Sequence, residues 1–159
     1  MTALKLDMES DRVAIVTRRF AASPMQVYRA HVEPDLIRQW MYGFDGWTIT
    51  DAVSEPHPGG TLRIVWQGPD GGGFHVTGHY IAVTPGERIE HVEQMHLPDP
   101  TPENHCITTF TPAEGGTLLT LRMELPDAES MKAMLDTGAT DGMEITYSRI
   151  DPIFAGPGS

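Results

Sequence analysis

The sequence predicts an α+β domain in which a curved antiparallel sheet of about seven strands wraps around one long C-terminal helix, with two short helices after the first strand. Three observations carry this. Apolar residues alternate with polar ones through the middle of the chain, between turn signals rich in Gly and Pro. Helical spacing is confined to two short stretches near the start and one long stretch at the end. The connections between strands are short, so neighbours in sequence become antiparallel neighbours in space.

Taken in order, Val13 to Phe20 is rich in β-branched residues and reads as the first strand. Ser23-Pro24 is a helix start, with Ser as N-cap and Pro at the first helical position. Val27, Ala30 and His31 follow at helical spacing. Pro34 restarts the pattern, and Leu36, Ile37 and Trp40 form the apolar face of a second short helix. Trp47 to Val53 is a strand, closed by the turn His57-Pro58-Gly59-Gly60. Leu62, Ile64 and Trp66 alternate with polar residues in the next strand. Pro69 to Gly73 is a hairpin loop and Phe74 to Val83 the strand after it. Thr84 to Glu87 turns the chain into a strand over Arg88 to Met95, with Ile89, His91, Glu93 and Met95 on one face. Leu97 to Glu103 contains Pro98, Pro100 and Pro102 and reads as a loop. Asn104 to Thr111 and Thr117 to Leu125 form a last hairpin around Ala113 to Gly116.

From Pro126 the period changes. Asp127 is an N-cap candidate, and Met131, Met134, Leu135, Gly138, Gly142, Ile145, Tyr147 and Ile150 recur at helical spacing. Two glycines predict a kink or short break between Thr137 and Gly142. The tail Gly156-Pro157-Gly158-Ser159 is expected to fray. Together these elements make a helix-grip arrangement. A sheet with one face to cover meets the only helix long enough to cover it, and strong curvature leaves an internal apolar cavity beneath that helix.

The bulk numbers agree with one domain spanning the 159 residues, with a core over about 12–155. The 22 acidic and 11 basic residues give a formal charge of -11, which repels phosphate backbones and anionic lipid surfaces. Nucleic acid and membrane are therefore not expected partners. The N-terminal residues lack the apolar segment of a signal peptide, and no window approaches ~18 uninterrupted apolar residues. With Cys106 as the single cysteine, no intramolecular disulfide forms. A cytoplasmic location is the expectation.

Several strings resemble the activator of heat-shock-protein-90 ATPase homologue family of the START-like (SRPBCC) superfamily, whose distant relatives include the birch-pollen allergen and the polyketide cyclases. Arg19-Phe20-Ala21-Ala22-Ser23-Pro24 with Val27-Tyr28-Arg29-Ala30 resembles the family's opening. Pro34-Asp35-Leu36 with Trp40 and Gly43 resembles its second helix. Gly59-Gly60-Thr61-Leu62-Arg63, Gly78-His79-Tyr80 and Pro85-Gly86-Glu87-Arg88-Ile89 resemble its strands and turns, and Gly142-Met143 with Tyr147 and Ile150 sits where the family has glycine-tryptophan and two leucines. The resemblance implies a START-like fold and either a ligand-holding cavity or, by analogy with the eukaryotic co-chaperone, a chaperone partner and a place in stress response. Met143 in place of tryptophan and Tyr147 in place of leucine change the cavity side of the last helix, so ligand shape is not inherited from relatives.

The candidate cavity residues are Trp40, Trp66, Phe74, Tyr80, His91, Glu93, Phe110, Met123, Met134, Met143 and Tyr147. The aromatics and methionines suit an adaptable apolar lining and suit a plain core equally well. His91 and Glu93 are the polar pair on the face of Ile89 and Met95. They either orient a ligand or exchange a proton inside the cavity, or else point to water or satisfy each other near its mouth. Seven histidines raise the question of metal. However, His75 and His79 are about 13 Å apart along one strand face, and no compact set of ligands is legible, so no metal and no cofactor are expected. No nucleophile motif is present either; Cys106 reads as inert packing. The function expected is a small binding module for an unidentified apolar or amphipathic molecule. The alternatives are a co-chaperone-like interaction module or, behind both, a cyclase- or hydrolase-type enzyme using His91 and Glu93. Homodimerisation is compatible with the fold and is not fixed by the sequence.

Overall fold

The computed structural model describes residues 4–42, 46–96 and 99–155. Gly43, the start of the proline-rich loop at Leu97, and the tail from Gly156 therefore lie outside the described residues. Eight strands form one antiparallel sheet: β1 (Lys5–Ser10), β2 (Val13–Phe20), β3 (Thr48–Ser54), β4 (Thr61–Gln67), β5 (Gly73–Thr84), β6 (Arg88–His96), β7 (Asn104–Ala113) and β8 (Gly116–Glu124). Their spatial order is β1-β2-β8-β7-β6-β5-β4-β3, so β3 to β8 form a continuous meander and β2 returns beside β8. The sheet curves around the helical layer, as the sequence predicts.

Two corrections to the sequence expectation follow. The sheet has eight strands rather than about seven, because Lys5–Ser10 pairs with β2. All six of its residues are exposed, so β1 carries little of the burial pattern by which strands are recognised. The C-terminal helix is not one long rod. It consists of α3 (Ala128–Asp136), α4 (Ala139–Tyr147) and α5 (Ile150–Ala155). The first break falls inside the predicted interval. Gly138 has φ +79, a left-handed conformation that ends α3 and that L side chains rarely adopt. The second, at Ser148 and Arg149, falls before Pro152, which has no N–H to donate to the Ser148 carbonyl and whose ring crowds it.

The short helices α1 (Pro24–Val32) and α2 (Pro34–Trp40) form as predicted. Ser23 caps α1 in a reciprocal box: its hydroxyl accepts from the Gln26 amide at 3.2 Å, and the Gln26 side chain accepts from the Ser23 amide at 2.9 Å. Pro34 cannot continue α1 and instead opens α2. The core lies between the concave face of the sheet and these helices. Val16, Val27, Ile37, Leu119, Met131 and Ile150 are almost wholly buried there, each worth about 1.5–3 kcal/mol of transfer free energy.

Polar contacts fix the broken C-terminal layer to the sheet. Arg18, on the concave face of β2, donates to both carboxylate oxygens of Glu144 on α4, at 2.9 and 3.0 Å. Glu144 also accepts from the Leu4 amide. Asp151 accepts from the amides of Ala21 and Ala22, and Arg149 donates to the carbonyls of Trp40 and Tyr42. The C-terminal layer is thus tied down at three separate points, with α4 held to β2 next to the β1 edge of the sheet.

Candidate functional site

Register determines which side chains share the concave face. Tyr80 of β5 pairs with His91 of β6, His91 with Cys106 of β7, Cys106 with Met123 of β8, and Met123 with Ala14 of β2. The next inward row runs Leu62, Gly78, Glu93, Asn104 across β4 to β7. Because side chains alternate faces along a strand, these two rows put His91, Glu93, Asn104 and Cys106 in one polar patch on a largely apolar face. His91 and Glu93 therefore face inward, and they also satisfy each other: His91 Nε2 donates to Glu93 Oε1 across 2.7 Å.

Gly78 makes room for this patch. A Cβ there would sit 2.2 Å from the Val92 carbonyl oxygen and 3.1 Å from Glu93 Cα. No L side chain fits without moving the strand that carries Glu93. A shallow depression of about 220 Å³ over Gly78 is lined by Thr77, His79, Val92 and Gln94 together with Glu93 and Glu103.

From the helical side, His31 of α1 completes the patch. Its Nδ1 lies 2.7 Å from the Val27 carbonyl oxygen. A carbonyl only accepts, so Nδ1 carries the hydrogen and, in the neutral ring, Nε2 presents a lone pair. The ring packs against Trp40 at 4.9 Å, Phe110 at 5.3 Å and Tyr147 at 6.2 Å. Although part of the residue's outline is exposed, burial of the ring lowers its pKa to about 4, with a further downward push from His91 that reports their proximity.

Three buried side-chain atoms have no hydrogen-bond partner among the described residues: His31 Nε2, His91 Nδ1 and Asn104 Oδ1. Native interiors satisfy nearly all such atoms, so each one requires an explanation. The surrounding electrostatics are negative. Burial raises the pKa of Tyr80 to about 12, with the Glu93 charge a minor contributor, and burial followed by nearby charges that include Glu93 pushes Cys106 and Tyr147 up as well.

The eleven candidate residues divide into four groups. Trp40, Phe110 and Tyr147 surround His31, with Trp40 stacked on Tyr147 at 5.7 Å and its indole N–H bound to the Ala30 carbonyl. Tyr80, His91, Glu93 and Met123 line the central rows, although the Tyr80 hydroxyl is engaged by Ser54 at 2.7 Å. Trp66 and Phe74 form a separate stack at 4.8 Å near β3, with Trp66 bound to the Met41 carbonyl. Met134 and Met143 are half-buried on α3 and α4 and pack against the core. Sequence reasoning did not select His31, Asn104 or Cys106 for this site. The available signals were His31 on the apolar face of its helix and the two-residue spacing of Asn104 and Cys106 on one strand face.

The expectation that no compact set of metal ligands exists is corrected. His91, Glu93 and Cys106 offer ligand atoms within 4.8 Å of one another, brought together by strand pairing that sequence spacing does not display. Zinc bonds of about 2.0–2.3 Å would require the three atoms to close to within about 4 Å of each other. Burial raises the Cys106 thiol pKa well above its ordinary value, which opposes the thiolate a metal needs. The cluster fits a hydrogen-bonded polar patch better than a preformed metal centre. His57 lies in the turn between β3 and β4, and the other histidines belong to the convex face, where His75 stacks on His96 at 4.3 Å and His105 meets Glu90 at 2.6 Å.

The family model described as "Activator of Hsp90 ATPase homolog 1-like protein" matches residues 21–155. Among solved structures, the chain is similar to a protein from Rhodobacter sphaeroides, with 31% identity, 96% of this chain and 98% of the other covered, and a TM-score of 0.91. It shares its fold with a protein from Mycobacterium smegmatis (21% identity, full coverage of both chains, TM-score 0.84) and with one from Nitrosomonas europaea (21% identity, 93% and 97% covered, TM-score 0.81). No functionally curated protein matches the chain.

Proposed function

Because the chain belongs to the family of Activator of Hsp90 ATPase homolog 1-like proteins and has their START-like fold, a fold of small ligand-binding or co-chaperone-like modules, we propose that it binds an amphipathic small molecule between the sheet and the C-terminal helices. The observation that carries this is the set of three buried polar atoms without partners among the described residues, in a patch ringed by apolar side chains. A plain core would place apolar groups there or pair the polar ones. Half-buried Met134, Leu135 and Met143, all packed against the core, supply adaptable surface on the helical side.

In this proposal the apolar body of the ligand lies against Phe110, Met123, Met143 and Tyr147, and its polar end meets His31, His91 and Asn104. The test is mass spectrometry of the natively purified protein followed by denaturation. The expected result is a bound small molecule released on unfolding, or one-to-one uptake of the uncharged dye Nile red by protein purified empty. A protein that carries nothing and takes up no dye would contradict the proposal.

The family description favours a second reading, in which the domain docks on a chaperone of the Hsp90 type. This reading needs a surface rather than an interior. A change in chaperone ATPase rate on adding the protein would support it, and an unchanged rate without association would remove it. A cytoplasmic location accompanies either reading.

A further inference from the structure

We infer that the ligand's polar end is a hydrogen-bond donor, an amine in first place and a hydroxyl in second, and that carboxylates and phosphates are excluded. This rests on the ligand-binding reading above and concerns which chemistry the site selects.

The patch is rich in acceptors. His31 Nε2 is fixed as an acceptor because Nδ1 is committed to the Val27 carbonyl. Asn104 contributes a carbonyl oxygen. His91 Nδ1 presents a lone pair in the neutral imidazole, since Nε2 is the nitrogen that donates to Glu93. Glu93 adds a carboxylate that no Lys or Arg pairs with among the described residues, its recorded partner being His91. The cation on the same face, Arg18, is committed to both oxygens of Glu144 and to the Arg19 carbonyl. Arg149 is likewise committed to two carbonyls.

An incoming carboxylate would therefore bring acceptors to acceptors and a negative charge towards Glu93, at the cost of its own hydration. An alkylammonium offers three donors and the charge that Glu93 lacks. A hydroxyl offers one donor and no charge, and falls between. The formal charge of -11 acts in the same direction at longer range.

The experiment compares naphthylethylamine, naphthylethanol and naphthylacetic acid, three probes of nearly equal size, by fluorescence titration at neutral pH. The expected order is amine, then alcohol, then acid, with the amine at least about tenfold tighter than the acid, as befits a charge-assisted hydrogen bond. Glu93→Gln, which keeps the shape and removes the charge, should narrow that ratio by about tenfold. Asn104→Leu should weaken the amine and alcohol while sparing an uncharged hydrocarbon probe such as naphthalene. If the acid binds as tightly as the amine, the donor inference is wrong while ligand binding stands. If neither the probes nor naphthalene bind, both fail.

Discussion

His91 donates from Nε2 to the Glu93 carboxylate across 2.7 Å, with both side chains on the concave face of β6. The pair satisfies itself through Nε2, yet His91 Nδ1 has no partner among the described residues. The neighbouring strand places Asn104 opposite Glu93 and Cys106 opposite His91. Two residues that satisfy each other therefore form one side of a larger polar patch that the protein does not close by itself, and the physical consequences of that arrangement can be measured.

Breaking the Arg18–Glu144 pair should destabilise the fold. Arg18 has 5% of its side chain exposed, while Glu144 has 36%. Glu144→Ala leaves a buried guanidinium without its carboxylate, and a loss of about 2 kcal/mol is expected, below the range for fully buried pairs because Glu144 is part-solvated. Urea denaturation measures this. Arg18→Met combined with Glu144→Leu should recover much of the loss, since the uncompensated charge is then gone.

Stability should fall on acidification through His31. Its folded pKa of about 4 lies below the ordinary 6.5, so above pH 6.5 the ring is neutral in both states and contributes no slope. Below that value the unfolded chain takes up a proton that the folded chain refuses. Stability then declines until about pH 4, by about 3 kcal/mol in all. His31→Phe keeps a ring against Trp40, Phe110 and Tyr147 and should flatten this part of the stability curve. An unchanged acid limb in that variant would show that other groups are responsible.

The sequence conveyed the order of the elements from Val13 onward and the start of α1, because each rests on local spacing: alternation along the strands, Ser23 before Pro24, and Pro34; whether His91 and Glu93 face inward it left open. What it could not convey depends on pairing between distant segments. Asn104 and Cys106 join His91 and Glu93 only through the β6–β7 register, and His31 reaches them only because α1 packs over β7 and β8. The exposed strand β1 lacks a buried face to reveal it, and the break at Ser148, marked by Pro152, lies within a helical spacing that runs on to Ile150.

Cys106 should react slowly with thiol reagents in the native protein. It is 3% exposed, and burial, followed by the Glu93 charge, raises its pKa, so little thiolate is available. Labelling with iodoacetamide should proceed much faster in urea than in buffer. Rapid native labelling would show that the interior opens more readily than this structure implies.

Gly78→Ala should damage both the fold and the site. The new methyl group meets the Val92 carbonyl at 2.2 Å, so β5 and β6 must shift where Glu93 is held. A loss of about 1–3 kcal/mol is expected, typical of overpacking. Thermal unfolding measures the loss, and weaker naphthylethylamine binding by the folded fraction would report displacement of Glu93.

The central claim is that His31, His91 and their neighbours form the polar end of a ligand site. Nitrogen-15 NMR of the imidazole rings during titration with naphthylethylamine tests it most directly, because each ring nitrogen reports its own hydrogen bond. His31 Nε2 and His91 Nδ1 should shift in step with binding, while His75, His96 and His105 on the convex face stay still. Binding that moves the convex rings, or leaves His31 and His91 unchanged, would contradict the account.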